Sequence, residues 1–90
     1  MALYTEVVKY WVYIVQCTDG TLYTGSAANL EHRLQAHNGE IPGGAKYTRA
    51  RAPVTLVYTE LCVNRSAALR REYALKQLSR ATKLALINSQ

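Results

Sequence analysis

The chain has 90 residues, 49% hydrophobic and 19% charged, with a net charge of +5 and a pI near 9.5. This balance excludes a disordered chain, and the length sets one domain, expected over residues 1–90 with its core at about 9–87. Two cysteines, Cys17 and Cys62, are too few for a disulfide scaffold and lack zinc-ligand spacing, and no apolar run is long enough for a membrane span.

Basic domains of this size favour polyanions, nucleic acid first among them. Seven tyrosines and no phenylalanine suit a surface that stacks on bases or supplies hydroxyls better than a purely apolar core. The start, MALYTEVVKY, lacks the basic leader and apolar stretch of a secretory signal. A cytoplasmic location, free thiols, no membrane contact and no disulfide-linked partner are therefore expected.

Residues 1–8 read as a loose or edge-strand extension. Residues 9–17, KYWVYIVQC, are apolar on both faces and predict a central strand. Thr18-Asp19-Gly20 is a turn, Leu22-Tyr23-Thr24 a short second strand, and Gly25 its break. Asn29 caps a helix over 30–38 that Asn38-Gly39 stops. Residues 39–53, GEIPGGAKYTRARAP, carry no periodic pattern and predict a long loop. Residues 54–62 form a third strand. Ser66 caps a helix over 67–78, and Ser79 caps another over 80–88. The order ββαβαα predicts an α+β domain: a small three-stranded antiparallel sheet flanked by helices.

The turn type decides whether Tyr13 and Tyr23 share a face. A two-residue Asp-Gly turn sets Tyr23 opposite Gln16 and leaves Tyr13 on the other side of the sheet. A three-residue turn with Gly20 in the left-handed region sets Tyr23 opposite Val15, on the face of Tyr13. Both turns suit the sequence.

The first helix aligns Leu30, Arg33, Leu34 and His37 at i, i+3, i+4 and i+7. A guanidinium and an imidazole in an apolar stripe point to a site, because a helix that only packs would carry Leu or Ala there. Glu72 lies on one side of its helix with Ala68 and Leu75. It is either a metal ligand or the partner of Lys76, four residues on. Lys46, Tyr47, Arg49 and Arg51 interleave basic charge with an aromatic ring, as phosphate contacts with base stacking require.

Together these residues resemble the GIY-YIG nuclease superfamily, specifically its small single-domain bacterial members, the YhbQ-like proteins. Trp11-Val12-Tyr13 stands for the first signature and Tyr23-Thr24-Gly25 for the second. Asn29-Leu30-Glu31, Arg33, His37-Asn38, GAKYTR at 44–49, VTLVY at 54–58 and SAALRRE at 66–72 follow in order. The resemblance implies a metal-dependent endonuclease that hydrolyses DNA phosphodiesters, selecting structure rather than sequence, in repair or turnover. It implies that Tyr13, Tyr23, Arg33 and His37 are catalytic and that Glu72 is the sole protein ligand of Mg²⁺ or Mn²⁺, bound weakly without substrate. It further implies nucleic-acid contacts by Lys46, Tyr47, Arg49 and Arg51. Trp11 replaces the signature Gly, Thr24 replaces the signature Ile, and Ser26 stands where several repair and restriction members carry a Lys. The Ser26 departure keeps open a non-catalytic nucleic-acid-binding or partner-docking module on the same scaffold.

Overall fold

A computed structural model describes residues 9–90. The expected extension at 1–8 lies outside the described residues. β1 (Tyr10–Gln16), β2 (Leu22–Ala27) and β3 (Thr55–Cys62) form one antiparallel sheet in the order β2-β1-β3. β1 is the central strand because it is apolar on both faces. Val12 and Ile14 join one core cluster, and Tyr13 and Val15 join the other.

The hairpin takes the three-residue turn. Cys17 N donates to Thr21 O at 2.9 Å, and Gly20 adopts φ +83°. Val15 then pairs with Tyr23, and Tyr13 pairs with Gly25. Both phenols lie on one face of the sheet, as side-chain alternation requires.

Gly25 does not break β2, which runs on to Ala27. The missing side chain serves a close approach instead. A Cβ there would lie 2.5 Å from the Tyr13 hydroxyl oxygen. Turn propensity alone misread this glycine, because the ring that fills its space comes from the neighbouring strand.

α1 (Leu30–His37) is capped by Asn29, whose side chain accepts from His32 N, and it ends at Asn38. It packs Leu30 and Leu34 on the tyrosine face of the sheet. Asn38 Oδ1 accepts from Val54 N at 2.6 Å, tying the end of α1 to the entry of β3. The 39–53 segment is not wholly irregular. It contains a short helix, α2 (Lys46–Arg49), too brief to show a periodic pattern.

α3 (Arg65–Lys76) and α4 (Arg80–Asn88) cover the opposite face. Ala68 and Leu75 of α3 and Leu86 and Ile87 of α4 pack with Val12, Ile14 and Tyr58. Asn64 caps α3, not Ser66. Its side chain accepts from Ala67 N at 2.8 Å, and an equally good capping residue two positions earlier starts the helix sooner. Ser79 caps α4 as expected. Cys17 and Cys62 are free thiols. Among the described residues, no helix is long and apolar enough to cross a membrane.

Candidate active site

His37 joins the elements of the site. It is fully buried between the sheet, α1 and α2. Its Nε2 lies 2.6 Å from the Tyr13 hydroxyl, and its Nδ1 lies 2.6 Å from Thr48 Oγ1. Thr48 is fully buried and donates its own proton to Ala45 O at 3.0 Å. That last bond fixes the direction of the chain. With its proton spent on a carbonyl, Thr48 accepts from His37 Nδ1–H. His37 Nε2 is then an acceptor and takes the proton of Tyr13.

The electrostatics agree with this direction. Burial, reinforced by the nearby Arg33 cation, lowers the His37 pKa from 6.5 to about 4. Burial also raises the Tyr13 phenol to about 12, against an opposing pull from Arg33. A neutral imidazole and a neutral phenol are the stable pair.

Tyr23 meets the edge of His37, with ring centroids 5.2 Å apart and an angle of 67°. The histidine thus stands between the phenols, its ring 5.7 Å from that of Tyr13. Tyr13 is buried, whereas Tyr23 is only half-buried. Tyr47 stacks near Tyr23 at 6.1 Å and 24°, and the Arg51 guanidinium lies 3.8 Å above the Tyr47 ring.

Arg33 is half-buried on α1, and its Nη1 donates to Gly43 O at 2.6 Å. It acts on both Tyr13 and His37. One bond to a carbonyl aims the guanidinium and leaves its other donors available.

Glu72 comes from the opposite face of the sheet. Ser26 points away from Gly25 and donates to Glu72 Oε1 at 2.6 Å. Lys76 Nζ lies 2.7 Å from Oε2, so the ion pair foreseen at i,i+4 forms. The Glu72 carboxylate is only 17% exposed and acts on the Tyr13 phenol across the edge strand.

The donor set fits a water-rich divalent ion held by one carboxylate. Among the described residues, no group of three or more His, Cys, Asp or Glu side chains forms a metal cage. Mg²⁺ keeps most of its waters and accepts a single carboxylate, and each Glu72 oxygen retains a lone pair.

The remaining expected residues divide. Lys46 and Arg49 are exposed on α2. Arg51 instead pairs through Nε with Asp19 Oδ2 at 3.0 Å, and its carbonyl accepts from Thr18 N and Oγ1. It clamps the hairpin turn onto the segment after α2. No sequence pattern marks Thr48, Lys76 or Lys83 as site residues. Lys76 and Lys83 line a hollow of about 360 Å³ with Leu22, Tyr23, Thr24 and Tyr47. The i,i+4 spacing marks Lys76 only as a partner of Glu72; Thr48 carries no signal.

Two phenols, an arginine and a carboxylate lie about β2, the edge strand of the three-stranded sheet. The GIY-YIG catalytic domain matches residues 9–85, and the chain belongs to the GIY-YIG family. It is 52% identical to a UPF0213 protein of Desulfotalea psychrophila over 94% of this chain and 76% of that protein. The solution structure of a UPF0213 protein from Bacillus halodurans is similar, with a TM-score of 0.58 and 40% identity over 91% of this chain and 85% of that one. The solution structure of the protein EF2693 from E. faecalis gives a TM-score of 0.61 at 37% identity over 90% of this chain and 84% of that one. These names carry no activity, substrate or cofactor. The family's fold is that of nucleases, which act on nucleic acid and generally use divalent metals.

Proposed function

We propose that the protein is a metal-dependent endonuclease that hydrolyses DNA phosphodiesters, selects structure rather than sequence, and serves repair or turnover. The observation that carries this reading is the placement of both phenols around His37, on one face of the sheet, beside Arg33.

Tyr23 is the phenol that meets substrate, because it lines the hollow while Tyr13 is buried with its proton committed to His37. As the general base, the Tyr23 phenolate takes a proton from the water that attacks phosphorus. Arg33 binds the non-bridging oxygens, which gain charge as the new P–O bond forms and the old one breaks. Tyr13, His37 and Thr48 are positioning residues that hold the phenolic face rigid. Glu72 would hold the divalent ion, which supplies positive charge to the phosphate and the leaving oxygen. Lys46, Arg49 and the ring of Tyr47 contact flanking nucleotides, and these contacts report backbone and stacking rather than base identity.

The test is cleavage of labelled single-stranded, duplex and branched DNA in Mg²⁺ or Mn²⁺. Arg33→Ala, Glu72→Ala and Tyr23→Phe should each lose about 100-fold or more in rate. Equal cleavage by wild type and all variants would assign the activity to a contaminant and end this reading.

The engagement of both Glu72 oxygens by Ser26 and Lys76 favours a second reading, a non-catalytic nucleic-acid-binding module. It predicts salt-dependent binding that survives Glu72→Ala, with no metal-dependent cleavage.

A further inference from the structure

The hollow beside Tyr23 has a composition that the catalytic reading does not use. Three consecutive residues of β2, Leu22, Tyr23 and Thr24, line it. Successive side chains of a strand point to opposite faces, so one hollow touches all three only by straddling the strand's edge. β2 is an edge strand, which leaves that side open. Tyr47 closes the hollow from the tyrosine face, and Lys76 and Lys83 close it from the helical face.

Its charge is unbalanced. Lys76 is paired with Glu72, whereas Lys83 has no ion-pair partner among the described residues. Lys83 is also half-buried, which is costly for a cation that serves only to solvate a surface. Thr24 Oγ1 is buried and has no hydrogen-bond partner among the described residues. The volume, about 360 Å³, is at the small end of ligand sites. A cavity with a free cation, a shared cation, an unsatisfied hydroxyl and aromatic rings is matched to an anion that carries a flat apolar part.

We propose that this hollow is a nucleotide subsite that seats the residue of a single strand next to the cleaved phosphate, with Lys83 on its phosphate and Tyr47 against its base. The inference rests on the nuclease reading for its orientation toward the cleaved bond, but not for binding itself. The hollow and the catalytic face share Tyr23, so the seated nucleotide is continuous with the phosphate that meets Arg33. Lys76 is common to the hollow and to Glu72. A bound phosphate therefore draws Lys76 away from the carboxylate and frees Glu72 as substrate arrives.

The experiment measures binding of a labelled oligothymidylate by anisotropy across a salt series, without metal. Lys83→Met should weaken binding about five- to tenfold and flatten the salt dependence by about one phosphate contact. Lys83→Arg should restore most of it, which separates loss of charge from loss of fold. Tyr47→Ala should also weaken binding several-fold. Arg65→Met removes an equal charge from the other end of α3, about 16 Å of helix from Lys76, and should change binding less than twofold. If Lys83→Met behaves like Arg65→Met, or if Tyr47→Ala binds like wild type, the subsite is overturned. The same proteins are then assayed for cleavage. Lys83→Met should raise KM and leave kcat within about twofold. If no protein cleaves while the binding series holds, the nuclease reading fails and the subsite stands.

Discussion

His37 has its charge state set by what surrounds it. Burial chiefly, with help from Arg33, depresses its folded pKa to about 4 from 6.5. Between those values the unfolded chain binds a proton that the folded chain refuses. Stability is therefore fully present above about pH 6.5 and is lost as pH falls toward 4. The loss attributable to His37 between pH 7 and 4.5 should be about 2–3 kcal/mol. Asp19, whose carboxyl is held low chiefly by hydrogen bonds from Thr21, titrates at lower pH and contributes its own slope. Denaturant midpoints at both pH values for wild type and His37→Gln isolate the imidazole. A wild-type slope no steeper than the variant's would mean that His37 is charged in the folded protein, and the inferred proton direction from Tyr13 to Thr48 would be wrong.

At the scale of elements, the hairpin matters because register and close approach are one problem. The three-residue turn puts Tyr13 across from Gly25, and the phenol fills the space a side chain would occupy. Gly25→Ala should push that phenol off His37 while leaving β2 paired. Activity should fall about 100-fold, with a stability loss of roughly 1–3 kcal/mol from overpacking. Wild-type activity in Gly25→Ala would show that the Tyr13–His37 contact does not organise the site. Much of this geometry was legible in the sequence. The both-faces-apolar pattern marked β1 as central, Asn29 and Ser79 marked helix starts, and the α1 stripe put a guanidinium and an imidazole where they now lie against Tyr13. What stayed hidden depended on distant partners. Gly25 reads as a strand breaker until Tyr13 is seen over it. Thr48 reads as a loop residue until His37 arrives from eleven positions away in sequence. Asn64 and Ser66 are equivalent caps by local rules, and the structure uses Asn64.

For the molecule as a whole, the distribution of charge matters more than the net +5. Three cations are neutralised locally: Arg51 by Asp19, Arg71 by Glu60 and Lys76 by Glu72. Arg51 and Arg71 therefore add little to the field that a polyanion meets. Arg33 on α1, Lys46 and Arg49 on α2, and Lys83 at the hollow beside β2 have no ion-pair partner among the described residues. A single strand passing over this surface neutralises about three or four of its phosphates, each releasing counterions. Affinity for a mixed-sequence single strand should then fall roughly 20- to 50-fold between about 50 and 200 mM salt. Base composition should matter far less than salt, since phosphate and stacking contacts carry no base code. Filter binding or anisotropy on several unrelated sequences measures both dependences. A salt response matching all eleven Lys and Arg residues would mean that the ion pairs open on binding. A flat response would remove the polyanion as the partner.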